Sequence, residues 1–78
     1  MDEHIKMLGS IRSKEDFLEF MRLYIPTVHD NAVNCYLEAL TAWTADMDSY
    51  YNNAGKKMPA NVNWDFIATL LYAGSIYE

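Results

Sequence analysis

The sequence has few of the residues that build disulfide frameworks, metal sites or nucleic-acid interfaces. Cys35 is the one cysteine among 78 residues, which excludes an internal disulfide and favours a reducing compartment. Six lysines and arginines stand against eleven acids, for a formal net charge of −5. This balance argues against a nucleic-acid-binding protein, which needs clustered basic residues. Paired Cys/His zinc spacings and Gly-rich phosphate loops are also missing.

Long hydrophobic runs are missing as well. The longest apolar stretch, residues 66–76, contains Thr69, Gly74 and Ser75 and is shorter than the roughly 18–20 residues that span a bilayer. The first residues are acidic and lack the basic and apolar regions of a secretory signal. We therefore expect a cytoplasmic protein with no membrane partner.

Apolar side chains are abundant, and they recur with helical periodicity. Hydrophobic residues make up 51% of the chain, too many for a disordered protein, and the length allows a single domain over residues 1–78. No segment alternates long enough to form a strand. We predict an all-α bundle of three main helices, at about residues 14–24, 31–53 and 63–77. The first dozen residues permit a short helix ended by Gly9 or an extended arm, and we predict the short helix.

Residues typical of helix caps and helix breaks mark the boundaries of these helices. Ser, Asp and Asn side chains accept hydrogen bonds from the free N–H groups of a first turn, while Pro and Gly end helices. The predicted boundary residues are Ser13 (N-cap), Pro26 (end), Asp30 or Asn31 (N-cap), Gly55 (C-terminal cap) and Asn63 (N-cap).

Two of the predicted helices present broad apolar faces, which we expect to form the core. Aromatic residues at helical spacing are usually buried, so Trp43 and Trp64 are predicted to be core residues. Gly74 indicates either the close approach of another helix or the end of its own helix. The predicted faces are Val33, Tyr36, Leu37, Leu40, Trp43, Thr44, Met47, Tyr50 and Tyr51 on the longest helix, and Trp64, Phe66, Ile67, Leu70, Leu71, Gly74 and Tyr77 on the last.

The titratable residues in the middle of the chain do not form a catalytic pattern. Glu38, Asp46 and Asp48 are isolated acids on one helix, without the Glu-x-x-His pair of a di-metal carboxylate site. His29 precedes the helix and has no fixed geometry toward Cys35, which lies opposite the core face and is interpreted as an incidental thiol. We expect no catalytic residue, no metal and no cofactor.

Tyrosines and acids form the candidate binding surface. Tyr50 and Tyr51 are adjacent and about 100° apart on a helix, so they cannot be buried equally. Tyr and Trp are common interface anchors, and acids can orient a partner. Asp46 lies off the core face, and we expect it to accept hydrogen bonds from loop backbone or an aromatic hydroxyl. The candidate binding residues are Asp46, Asp48, Tyr50, Tyr51 and Tyr72, and plain core and surface roles are the alternative.

Small residues line one edge of the longest predicted helix. Ala42, Ala45 and Ser49 could let a second helix approach closely, either in this chain or in a second copy. Alanine is also simply a good helix former. We therefore predict a possible interface for a homodimer at these three residues, and the alternative is that the alanines only favour helix formation.

The second half of the chain carries a pattern of aromatic, acidic and small residues. It comprises Leu37-Glu38-Ala39-Leu40, Trp43, Asp46-Met47-Asp48 and Tyr50-Tyr51-Asn52-Asn53-Ala54-Gly55, then Pro59, Trp64, Leu70-Leu71 and Tyr77-Glu78. On these residues the chain resembles an uncharacterised family of small bacterial all-helical proteins, a domain of unknown function with the form F-L-E-A-L-x-A-W-x-x-D-M-x-x-Y-Y-x-N-x-G. The sequence departs from it at His29-Asp30-Asn31, where the family usually has an aromatic residue.

The resemblance transfers no activity, but small acidic proteins of this kind are often encoded beside toxin genes, which implies an immunity or inhibitor role. The leading hypothesis is a non-enzymatic protein-interaction module that occludes a partner protein. The alternative is a small ligand-binding or enzymatic homo-oligomer with a pocket lined by Tyr and Asp.

Overall fold

The computed structural model describes residues 3–76, and every regular element in this range is helical. The all-α prediction is confirmed, the predicted bounds of the first two main helices match the structure, and the last helix begins one residue after its predicted start. Tyr77, where the last helix is predicted to end, lies outside the described residues. The elements are α1 (Glu3–Met7), α2 (Lys14–Tyr24), a 3-10 turn (Ile25–Thr27), α3 (Asn31–Asn53) and α4 (Trp64–Ile76).

Side-chain caps begin the three main helices, as the sequence predicts. In each case an oxygen of the capping residue accepts a hydrogen bond from the backbone N–H three residues later, which satisfies a donor that the helix itself leaves free. Pro26 is the second residue after the end of α2 and lies in the 3-10 turn. The capping bonds run from Asp16 N to Ser13 Oγ (3.1 Å), from Val33 N to Asp30 Oδ1 (3.0 Å) and from Phe66 N to Asn63 Oδ1 (2.9 Å).

Gly55 ends α3 in the left-handed conformation, with φ at +67°. Its N–H donates to the carbonyl of Asn52 at 3.2 Å, and the N–H of Lys56 donates to the carbonyl of Tyr51 at 2.9 Å. This pair of bonds is the Schellman arrangement, which satisfies the last carbonyls of a helix. The predicted C-terminal cap is confirmed.

Helix α2 is the centre of the core. Phe17, Phe20 and Met21 are fully buried on it, and Tyr24 is nearly so. Helices α1, α3 and α4 each pack against α2, and buried Leu37 of α3 and Ala68 of α4 join the same cluster. Over the described residues, by contrast, no Cα atom of α3 lies within 8 Å of one on α4. Both helices therefore rest on α2 without closing on each other.

The predicted core faces are too wide. The face predicted on α3 covers about 140° of the helix, but α2 has 11 residues against the 23 of α3 and covers only part of it. Leu37, Thr44 and Met47 are the buried residues of α3. The prediction that Trp43 is a core residue is wrong, and the same holds for Val33, Tyr36, Tyr50, Phe66 and Leu70, all of which are exposed.

The fold also decides between the two expectations for Gly74. Gly74 does not mark a close helix contact, because no heavy atom of a neighbouring segment among residues 3–76 lies within 4 Å of where its Cβ would stand. Instead it lies near the end of α4, the other reading of this position. Within the described chain, no helix is both long and apolar enough to cross a membrane.

Candidate functional site

The separation of α3 from α4 leaves a groove between them, which we call the α3–α4 groove. Two clefts lie along it, of about 620 Å³ and about 300 Å³. The larger lies between the first half of α3 and the second half of α4, and the smaller lies between their opposite halves. Helix α2 supplies the floor through Tyr24 in the larger cleft and Phe17 in the smaller one.

One wall of the groove carries three exposed aromatic side chains of α3, which we call the aromatic stripe. Tyr36, Trp43 and Tyr50 are spaced by seven residues, close to two helical turns, so they lie nearly in line. They are 65%, 49% and 45% exposed, respectively. The rings of Trp43 and Tyr50 are in contact, with centroids 5.7 Å apart. Trp43 and Tyr50 thus form one aromatic pair, and Tyr36 lies two turns before Trp43 in the same row.

The opposite wall belongs to α4. Leu70 lines the larger cleft and is 58% exposed, whereas Phe66, one turn earlier and 60% exposed, lies outside the lining of both clefts. Ile67 and Leu71 lie closer to the floor, partly buried against the core. Ala68 faces the core and is completely buried there. Helix α4 is therefore apolar on faces that its own chain leaves uncovered.

The larger cleft combines aromatic and polar groups. Its lining includes Tyr36 and Tyr72, with His29 and Asp30 at the start of α3. Tyr72 packs against the buried ring of His4 at 5.8 Å. The Tyr24 hydroxyl donates a hydrogen bond to the Leu71 carbonyl at 3.4 Å. These contacts hold the base of the cleft in place, while its mouth is open to solvent.

The smaller cleft is more strongly apolar. Trp64 forms one end of it and packs on Phe17, with ring centroids 5.4 Å apart. Trp43, Met47 and Tyr51 line its other side, and Pro59 of the connecting loop borders it. Both tryptophans of the chain thus face this cleft, one partly buried and one exposed.

Helices α3 and α4 carry acids and no bases, although none of these acids lines either cleft. The acids of α3 and α4 are Glu38, Asp46, Asp48 and Asp65, and no Lys or Arg occurs in either helix. Asp48 forms an ion pair with Lys14 of α2 at 3.4 Å, and Asp65 accepts backbone hydrogen bonds. Lys56, which follows α3, lies 6.0 Å from the centre of the Tyr50 ring, at one end of the groove.

Asp65 has the role that the sequence analysis assigned to Asp46. Its Oδ1 accepts hydrogen bonds from the backbone N–H groups of Gly9, at 2.7 Å, and of Ile11, at 3.2 Å. Asp46 is exposed, and among the described residues its carboxylate has no hydrogen-bond or ion-pair partner. The prediction for Asp46 is wrong because Asp46 lies on the exposed side of α3, away from the buried residues Leu37 and Thr44.

The structure brings together some of the predicted binding residues and separates others. Asp46 lies one turn from Trp43 and one turn from Tyr50, and Tyr50 contacts Tyr51 edge to face at 5.1 Å. Asp48 turns toward Lys14 and α2. Tyr72 lies about 12 Å along α4 from its start, in the larger cleft, and does not join Tyr50 and Tyr51.

The remaining candidates lie away from the groove. Ala42, Ala45 and Ser49 are exposed on α3 and turned away from the aromatic stripe, and Cys35 is also exposed.

On α2, Arg22 donates hydrogen bonds to Glu19 one turn earlier, which lowers the pKa of the Glu19 carboxyl and raises that of Arg22. This exposed pair is a local feature of the helix surface.

The fold and the groove define a small all-α protein with an open apolar surface between two helices. A family model described as "Family of unknown function (DUF7660)" matches residues 13–78. The chain belongs to this family, which confirms the resemblance to a domain of unknown function. The match begins at Ser13, the N-cap of α2, so α1 precedes the matched region. No curated protein and no solved structure matches the chain.

Proposed function

We propose that this chain is a non-enzymatic protein-interaction module that binds a partner protein at the α3–α4 groove. The observation that carries the proposal is the set of large apolar side chains exposed along both walls. Contiguous exposed apolar surface of this kind marks interaction sites in soluble proteins. The exposed residues that line the clefts are Tyr36 and Trp43 on α3 and Leu70 on α4, and Tyr50 extends the α3 row through its contact with Trp43.

The mechanism would be occlusion of the partner's surface. Tyr and Trp bury a large area at low cost in side-chain entropy, and for this reason they dominate binding energy at protein interfaces. Asp46, beside Trp43 and Tyr50, would orient the partner and speed its association. An immunity or inhibitor role in a bacterial cytoplasm fits this mechanism, and the lone exposed Cys35 suits a reducing compartment.

A selection from a random peptide library displayed on phage tests the proposal without assuming a partner. We expect selected peptides to lose binding to Trp43→Ala and Leu70→Ala and to keep it with Glu38→Ala, a matched change on the far side of α3. Circular dichroism would establish that each variant is folded. Selected peptides that bind all three variants equally, or a selection that yields none, would contradict the proposal.

The larger cleft supports a second candidate function, the binding of a small molecule. Its volume of about 620 Å³ lies within the range of ligand pockets, which are mostly apolar with a few polar groups. Tyr24, Tyr36, Tyr72 and Asp30 are among its lining residues, which supports the alternative of a pocket lined by Tyr and Asp. A metabolite screen by thermal shift tests this function, and a rise in melting temperature that Tyr36→Ala abolishes would support it.

Self-association remains a separate prediction. Ala42, Ala45 and Ser49 are exposed, as a dimer interface requires before assembly. Light scattering on a size-exclusion column gives the mass directly. A dimer that Ala45→Arg dissociates would support an interface formed by these three residues, and a monomer at all concentrations would contradict it.

A further inference from the structure

We infer that the occupant of the α3–α4 groove is an amphipathic helix of a partner protein, with basic residues along the edges of its apolar face. This inference rests on the proposed function and names the chemistry of its partner. Three observations lead to it: the shape of the groove, the charge of its walls and the net charge of the chain.

The shape of the groove fits a helix. Its walls are two helices whose backbone groups are already paired within each helix, and residues 3–76 contain no strand edge to which an extended peptide could add. A third helix can instead insert its side chains between the rows of α3 and α4. From Tyr36 to Tyr50 the aromatic stripe is about 21 Å long. It therefore accommodates roughly four turns of a partner helix.

The carboxylates beside the groove favour a basic partner. Asp30 borders the larger cleft and Asp46 adjoins the aromatic stripe, and neither forms an ion pair within residues 3–76. Lys56 lies at the Tyr50 end of the stripe, and Asp46 and then Asp30 follow toward its other end. Lysines or arginines flanking the apolar face of a docked helix would lie opposite these carboxylates. Complementary charges of this kind increase association rates and fix orientation.

The same charges disfavour a second copy of this chain as the occupant. Each copy carries a formal net charge of −5. Two copies joined through the groove would place four walls without a single Lys or Arg against each other. Like charges at an interface cost affinity, so the groove is better matched to a partner of opposite charge.

Two synthetic peptides test the inference. Both form an amphipathic helix with Leu at positions i, i+3, i+4 and i+7. One carries Lys along both edges of the apolar face, and the other carries Glu at the same positions. Binding is followed by the fluorescence of Trp43 in a Trp64→Phe variant, which leaves one tryptophan in the chain. We expect a blue shift on binding of the Lys peptide and at least about tenfold weaker binding of the Glu peptide.

Charge variants locate the effect. Asp46→Asn removes a charge beside the stripe, and Asp30→Asn removes one at the cleft and keeps a good N-cap. Each should weaken binding of the Lys peptide about three- to tenfold, with the difference shrinking at high salt. Glu38→Gln on the far side of α3 is the matched control and should leave the affinity unchanged.

The outcomes separate this inference from the proposed function. Equal binding of both peptides at Trp43 would overturn the basic partner and leave the groove as a docking surface. Failure of both peptides, while library-selected peptides map to the groove, would overturn the helical basic occupant alone. A dimer that Leu70→Lys dissociates would identify a second copy as the occupant and overturn the inference. Library peptides that ignore the groove would remove the proposed function itself.

Discussion

At the scale of single residues, one carboxylate of α4 holds the segment between α1 and α2 in place. Asp65 in the first turn of α4 accepts hydrogen bonds from Gly9 and Ile11, more than fifty residues earlier in sequence. It thereby fixes the connection between α1 and α2 against α4. The sequence offers little to distinguish Asp65 from Asp46, because both are acids beside aromatic residues on a helix. The difference arises from which side of each helix the chain covers.

Asp65→Ala should therefore destabilise the protein, by about 1–3 kcal/mol, because two backbone donors lose their acceptor. Asp46→Ala, an exposed change on α3, should stay within about 0.5 kcal/mol. Urea denaturation measures both values. Hydrogen exchange should also accelerate at the amides of Gly9 and Ile11 in the Asp65 variant, a readout that separates this role from a general effect on α4. Unchanged protection of those amides would contradict it.

The two tryptophans should differ in their contribution to stability. Trp64 packs on the buried ring of Phe17, so Trp64→Ala should cost about 3 kcal/mol. Trp43 is half exposed, and Trp43→Ala should cost no more than about 1 kcal/mol. Thermal or urea unfolding of the two variants gives the comparison. A larger loss for Trp43 than for Trp64 would mean that the aromatic stripe is part of the core.

At the scale of elements, the helices follow from local chemistry. Ser13, Asp30 and Asn63 cap the three main helices as the sequence predicts, and Gly55 takes the left-handed conformation that few other residues adopt. These signals act within four or five residues, which is why they can be read without knowing the fold. The side of each helix that becomes buried depends on neighbours distant in sequence, and there the predictions for Trp43 and Phe66 were wrong.

The two glycines at the ends of α3 and α4 should respond in opposite directions to the same substitution. Gly55→Ala forces a side chain into positive φ and should destabilise by about 1–2 kcal/mol. Gly74→Ala lies within a helix, where the described neighbours leave room for a methyl group, and should stabilise by about 0.5–1 kcal/mol. Chemical denaturation of both variants measures the signs. Destabilisation by Gly74→Ala would show that this position needs glycine for a contact.

At the scale of the whole molecule, three helices pack on α2 while two of them stay separated from each other. Helix α2 is covered by α1, α3 and α4, whereas α3 and α4 remain apart and expose apolar side chains toward each other's side of the groove. The sequence contains a sign of this: the apolar face of residues 31–53 is about twice as long as the 11-residue helix α2 on which it packs. Seven-residue spacing of Tyr36, Trp43 and Tyr50 is a further sign, since it describes a separate row beside Leu37, Thr44 and Tyr51.

The candidate site could be predicted only in part for the same reason. Asp46, Tyr50 and Tyr51 are local neighbours on one helix, and the sequence groups them. Tyr72 depends on the antiparallel course of α4 relative to α3, which places it beside Tyr24 and His4. Helix periodicity gives the relative angles of residues within one helix, but it does not give the direction in which a second helix runs.

We propose that the α3–α4 groove is the binding surface of this protein. Chemical-shift mapping with a library-selected peptide and 15N-labelled chain tests it most directly, because every backbone amide reports separately. We expect the largest shifts along the groove, at Tyr36, Trp43, Leu70 and Gly74, with the indole N–H of Trp43 among them. Shifts confined to the far side of α3, around Glu38, Ala42 and Ala45, would contradict it.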